Sequence, residues 1–329
     1  MSTSTRSAGP SGFGTMEEPM PLLPITSEAT VAACASLPLR PTDVFIASYP
    51  KSGTTWMQHI VHTLVTDAAS PLAHISDACP FFEVDRTWSE HESGELAPTV
   101  RENHRALGRR LFNTHLRWEM MPRQGEADAA DATAAAGAKY IYLTRDGRDA
   151  CVSFFHHLSH QAVEDGGYRG GFDRFVVEWS AGALPFGSWA AHLKSWLGGA
   201  AADPRVLVVS YEGMKADLRR EVLRVRTHLR LPLSERRVDE LLPRFTFEWM
   251  RSHEEQFNPR SVRWVASEEE EAEGHGEAPR AEPFHFIRSG QTGEGKQRFN
   301  QAQEELFAAM IRRTFPDELP PYMAGFSLR

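Results

Sequence analysis

The stretch that most constrains the fold is residues 44–65, VFIASYPKSGTTWMQHIVHTLV. It opens as an apolar run of the kind that forms a strand buried on both faces, and from Thr54 it continues with the spacing of an amphipathic helix. Between the two lies Tyr49-Pro50-Lys51-Ser52-Gly53-Thr54-Thr55-Trp56. A helix N-terminus carries unpaired backbone N–H groups and positive partial charge. Gly53 lets the backbone approach an anion closely, Ser52, Thr54 and Thr55 add hydroxyls, and Lys51 adds a full charge. Together they make a phosphate cradle. It is not the triphosphate loop GxxxxGK[ST], whose glycines precede the lysine, because residues 44–50 contain no glycine. Nor does a carboxylate stand at a strand end where it would hold magnesium. The loop is suited to an anion handled without a metal. The plainer alternative is a capped strand–helix junction with an incidental lysine.

Three more apolar runs read as buried strands: Leu111–Thr114, Tyr140–Thr144 and Val206–Tyr211. Helical spacing appears over Thr54–Val65, Asp149–Gln161, Phe172–Ala181, Trp189–Leu197, Leu218–Leu229, Glu235–Leu242 and Gln303–Thr314. Strands alternating with helices predict a doubly wound α/β fold, a mainly parallel sheet flanked by helices, in a single domain over 39–329. Residues 1–38 open with MSTSTRSAGPSGFGTMEEPM and are expected to be a disordered tail. They lack the apolar core of a secretory signal. Arg6 among hydroxyl residues suits a transit peptide, but Glu17 and Glu18 do not. GEADAADATAAAGA, 125–138, is rich in small residues and fits a solvent-side helix or a loop. SEEEEAEGHGEAPRAEP, 267–283, is expected to be a mobile acidic loop, either overhanging the site or merely solvated.

The net charge of −8 argues against broad nucleic-acid binding. Cys34, Cys79 and Cys151 are scattered and odd in number, which excludes a disulfide framework and fits a reducing, cytoplasmic location. No apolar run is long enough to span a membrane. His156, His157 and His160 lack a carboxylate–histidine partner pattern, so no metal is expected.

Other segments add to the loop. YIYLTRDGRDACVSFFHH puts Arg145 at a strand end and Ser153 eight residues on. FIRSGQTGEGKQRF, 286–299, spaces Arg288, Gly290, Gly293, Lys296 and Phe299. RRLFNTHLRWEMMP puts His115 after an apolar strand, and FGSWAAHLKSW and VLVVSYEGMK complete the set. Groups at the carboxyl ends of strands share one crevice in an open α/β sheet, so Lys51, His115 and Arg145 are expected to meet. With these segments, YPKSGTTW resembles the 5′-phosphosulfate loop of the cytosolic sulfotransferases, and the resemblance runs from about residue 40 to 315.

That resemblance implies 3′-phosphoadenosine 5′-phosphosulfate (PAPS) as sulfuryl donor, with no metal, and a small-molecule acceptor. It implies His115 as general base and Lys51 at the leaving oxygen. Ser52, Gly53, Thr54 and Thr55 would hold the 5′-phosphate. Arg145 and Ser153 would take the 3′-phosphate, clamped from the other side by Arg288, Ser289 and Gly290. Trp56, Tyr211, Phe245, Thr246, Phe247 and Met250 would wall the adenine, and Phe286 and Ile287 would also bind the donor. Arg148 is expected at the surface beside Asp149, and Trp189, His192 and Trp196 in the core. Phe81, Phe82, Trp88, Trp118 and Phe155 are candidate acceptor walls, or core.

The chain departs from the family pattern at Asn113, where a lysine is usual; Arg109, Arg110 or Arg117 is the expected substitute charge. It departs again at Arg117, where proline is usual. Asn300-Gln301 replaces the Thr-Val of the dimer motif, so a homodimer stays open. The competing readings are an ATP-dependent small-molecule kinase and a non-catalytic nucleotide-binding relative.

Overall fold

The computed structural model describes residues 20–123, 137–265, 285–317 and 319. Four strands, β1 (Val44–Ser48), β2 (Leu111–Thr114), β3 (Lys139–Thr144) and β4 (Val206–Ser210), form an all-parallel sheet in the order β2-β1-β3-β4. Val44 pairs with Leu111 on one side and Lys139 on the other, and Tyr140 pairs with Val206. β1 and β3 are central and buried at every position, which is why their sequences show no polar alternation.

Period-two alternation still divides their side chains between two cores. Phe45, Ala47, Tyr140 and Tyr142 face the layer containing helices Gly147–Ser159, Phe172–Ala181, Trp189–Ala202 and Gln301–Thr314. Val44, Ile46, Ile141 and Leu143 face helices Thr54–Thr66, Leu218–His228 and Glu235–Leu241. The chain leaves β1 for β2 on one side and returns to β3 on the other. The loops after β1 and β3 therefore flank the switch point where open sheets bind ligands. This is the doubly wound α/β fold expected.

The N-terminal expectation needs correction. Residues 20–38 are packed: Glu28–Ser36 is a helix whose cap Ser27 accepts from Thr30 N–H. Leu23, Ala33, Cys34 and Leu37 join the core. Thr30 Oγ1 also donates to Asp85, 2.6 Å away. Apolar residues resume after Met20, and that supplies a face to bury. Residues 1–19, 125–136 and 267–283 lie outside the described residues.

Element ends shift where caps decide them. Asp146 accepts from Arg148 N–H and starts its helix at Gly147; Ser210 accepts from Gly213 N–H and makes Tyr211 helical. Asn300 and Gln303 form a capping box, which gives Asn300 a local structural role. No helix among the described residues is long and apolar enough to cross a membrane.

Candidate active site

The loop after β1 turns through two left-handed residues, Lys51 at φ 66° and Gly53 at φ 96°. Gly53 caps helix Thr54–Thr66, and a Cβ there would lie 2.7 Å from the Tyr211 ring. Glycine is thus required by both conformation and space. Ser48 Oγ and Thr54 Oγ1 share a 2.6 Å hydrogen bond. Ser52 Oγ is buried with no partner among the described residues.

Arg145, at the end of β3, ties this loop to the C-terminal glycine-rich one. Its Nη1 donates to Lys51 O and its Nη2 to Gln291 O, each at 2.9 Å. The guanidinium lies 4.4 Å from the Tyr211 ring centroid, and Nε is buried without a partner among the described residues. Asp149, one helical turn on, accepts from the N–H of Gly293 (2.8 Å) and of Gly295 (2.7 Å). The surface position beside Asp149 expected for Arg148 needs correction. In fact Arg148 is buried and bonds Asp146 (2.8 Å) and Glu304 (3.2 Å), which frees Asp149 to anchor the loop. Arg288 bonds Glu294, Nη1 to Oε1 at 3.0 Å. Trp56 Nε1 donates to Phe245 O at 2.7 Å and meets Tyr211 edge-on at 5.6 Å. Gly290 has φ 60°, and a Cβ there would come within 2.5 Å of the Phe247 ring.

His115 follows β2. Its Nδ1 is 2.7 Å from Ser48 O. A carbonyl only accepts, so Nδ1 carries the proton and Nε2 keeps its lone pair. The His115 backbone is also held: its N–H donates to Glu83 Oε1 (2.5 Å), and its carbonyl accepts from His192 Nε2 (3.0 Å). Phe81 and Phe186 meet the ring edge-on at 5.2 and 5.1 Å. Burial lowers His115 to about 4, helped by Lys51, so the ring is neutral at physiological pH. Burial raises Glu83 to about 7. Lys51 Nζ lies 3.3 Å from His157 Nδ1 and 4.3 Å above the Phe286 ring. Burial, then Arg145 and Arg288, lower Lys51 to about 7.

These groups line one cavity of about 790 Å³. Lys51, Gly53, Thr54, Thr55, Trp56, His115, Arg145, Ser153, Tyr211, Phe245, Thr246, Phe247, Met250 and Phe286–Gly290 all border it; Ser52 lies behind the wall. Sequence reading missed Leu23, Phe154, His157 and Phe186, which also line it. The acceptor-wall candidates divide. Phe81 lines the cavity, whereas Phe82 and Trp88 are core. Trp118 packs on Tyr140 and Trp196, and Phe155 on Phe172 and Phe175.

None of the expected substitute charges reaches the cavity. Arg110 pairs with Asp43, which precedes β1 at the amino end of the strands, away from the cavity; Arg109 borders a separate hollow; Arg117 is buried 4.0 Å from Glu119. Asn113 does line the cavity and donates to Cys79 O at 2.9 Å. The three histidines diverge. His156 meets Arg298, His157 meets Lys51, and His160 bonds the His156 carbonyl.

The chain is similar to several known proteins. The family model described as "Sulfotransferase domain" matches residues 41–319. Sulfotransferase 1E1 of Homo sapiens is 31% identical over 272 residues, 82% of this chain and 82% of that protein. Sulfotransferase 1A1 of Bos taurus is 28% identical over 314 residues, 94% of this chain and 92% of that one. Retinol dehydratase in complex with androsterone and the inactive cofactor PAP superposes with a TM-score of 0.65 at 23% identity, covering 89% of this chain and 87% of that one. Mouse sulfotransferase SULT7A1 complexed with PAP gives 0.62 at 22%, covering 89% and 92%. With its family model spanning most of the length and a human relative above 30% identity, this chain belongs to the sulfotransferase family.

Proposed function

We propose that the protein transfers the sulfuryl group of PAPS to a hydroxyl or amine of a small-molecule acceptor. The observation that carries this reading is the tautomer of His115. Ser48 O holds its Nδ1–H, so the unprotonated Nε2 is left available in the same cavity as Lys51.

The residues fit an anionic nucleotide. Arg145 Nε is a buried polar atom without a partner among the described residues, and a side chain at Gly53 or Gly290 would strike the aromatic walls. When bound, the donor supplies an electrophilic sulfur and an adenosine bisphosphate leaving group. His115 Nε2 takes the acceptor proton. Lys51, as an ammonium, would stabilise the negative charge that develops on the leaving oxygen. The helix N-terminus at Gly53–Thr55 and its hydroxyls hold the 5′-phosphate. Arg145, Ser153 and Arg288 take the 3′-phosphate, for which a guanidinium offers a planar fork. Trp56, Tyr211 and Phe247 flank the base.

Two measurements test the reading. Titration calorimetry should give tighter binding of adenosine 3′,5′-bisphosphate (PAP) than of ATP. Labelled donor should pass its sulfuryl group to members of a phenol, alcohol and amine panel. ATP binding as tightly as PAP would favour a kinase; tight PAP binding without transfer to any acceptor would favour a non-catalytic relative.

A further inference from the structure

His157 stands beside Lys51 at the end of the segment that carries Arg145 and Ser153, but the resemblance gives it no role there. It is half-buried, lines the cavity, and brings Nδ1 to 3.3 Å from Lys51 Nζ. A lysine amine, when charged, only donates. While Lys51 is charged, Nδ1 is therefore the acceptor, and the ring proton sits on Nε2. Burial and the nearby Lys51, His115 and His160 hold His157 well below the usual histidine range, so this acceptor persists at neutral pH. The ring is itself fixed edge-on by Trp264 (5.1 Å) and Phe286 (6.0 Å). The same Phe286 ring lies 4.3 Å under Lys51 Nζ. Lys51 is thus held at its head by a lone pair and a π-face, and at its root by a left-handed backbone rarely adopted by non-glycine residues.

We propose that His157 is a positioning residue for sulfuryl transfer, whose Nδ1 fixes the Lys51 ammonium between the donor and acceptor parts of the cavity. The inference rests on the reaction proposed above. An ammonium has three N–H donors, so one can stay on His157 while another meets the leaving oxygen. The groups facing Lys51 pull in opposite directions. Arg145 and Arg288 disfavour its charge, as does burial. The Phe286 face and the His157 lone pair favour it. His115 is neutral and its Nδ1 proton is already given to Ser48 O. Removing the lone pair leaves the two arginines opposed only by the Phe286 face, and Lys51 then loses its proton at lower pH.

His157→Phe keeps an aromatic ring against Trp264 and Phe286 but removes the acceptor; His157→Gln keeps an acceptor. The Phe variant is expected to lose about tenfold or more in kcat while its KM for the donor stays within about threefold. Its alkaline limb should move down by about one pH unit, the scale of one hydrogen bond to a charged group. The Gln variant should recover most of both. A readout independent of turnover is competitive acetylation of Lys51 against pH, whose midpoint should fall by about one unit in His157→Phe. PAP affinity of each variant reports whether the cavity has kept its shape, and His157→Leu repeats the test if the Phe variant does not fold. Wild-type kcat together with an unmoved Lys51 midpoint would overturn the proposal and leave His157 as packing. If the wild type transfers no sulfuryl group to any acceptor, the reaction reading falls, while the acetylation midpoint still decides whether His157 governs Lys51.

Discussion

The proposed donor half and the proposed acceptor half of this cavity are built by different means. The donor half is made of backbone and permanent charge: the Gly53 loop, the helix start at Thr54, Arg145 across two carbonyls, and the glycine-rich loop held by Asp149. The proposed acceptor half is made of neutral groups: half-buried His115 and His157 with depressed basicity, half-buried Phe81, and buried Phe154, Phe186 and Leu23. Charge recognition tolerates an invariant, preformed cradle. Proton abstraction needs a base without its proton, and desolvation is what keeps His115 in that state.

The sharpest way to break the comparison is at His115. His115→Ala should lower kcat by about 10²–10⁴-fold, the usual loss of a general base, and leave PAP affinity near wild type. Weakened PAP binding would mean the two halves are not separable. Next in size is Arg145→Ala, expected to cost about 1.5–3 kcal/mol in PAP binding, with little effect on an analogue lacking the 3′-phosphate. Arg288→Ala should cost less, because Arg288 must first release Glu294. Equal losses for both ligands would assign Arg145 to stitching the loops, a role its two carbonyl bonds already give it.

The same division explains what sequence could tell. The donor half was legible because each part is a contiguous string, so Lys51–Trp56 and Arg288–Lys296 carry their geometry in their spacing. The acceptor half comes from separate loops and a helix, and nothing local marks Phe186 or Leu23 as cavity walls. Leu23 lies within the N-terminal stretch whose opening composition reads as a tail. His157 had a faint signal, one turn beyond Ser153 on the same helix. Glu83 had another, a lone acid within PFFEV. Arg148 was misplaced because its partner Glu304 is 156 residues away.

A smaller test concerns pH. kcat/KM reports the free enzyme. His115, at about 4, must be unprotonated, so activity should rise as pH increases through that value. Lys51, at about 7, must be protonated, so activity should fall as pH increases through that value. Lys51→Arg keeps the charge at all working pH and should remove the alkaline limb, at some cost in rate from its different shape. An alkaline limb unchanged in that variant would assign it to another group.

The smallest effect is on stability and lies beneath the acceptor half. Glu83 is fully buried, and its Oε1 receives the His115 N–H. Burial raises the carboxyl from 4.5 to about 7, against the hydrogen bonds from His115 and Thr114 that favour the anion. Between those two values the unfolded chain has lost the proton and the folded protein keeps it, so the folded state binds more protons. Stability supplied by the neutral acid is therefore complete below about 4.5, declines as pH rises, and is gone above about 7. Glu83→Gln retains an acceptor for the His115 N–H and has no charge to bury. Relative to wild type it should be little changed at pH 5 and more stable at pH 8, by about 1–2 kcal/mol. Its turnover should stay within a few-fold, since Glu83 touches the backbone of His115 and not its ring. Chemical denaturation at the two pH values checks this. A variant destabilised equally at both would mean that the carboxylate's shape, rather than its proton, supports the base.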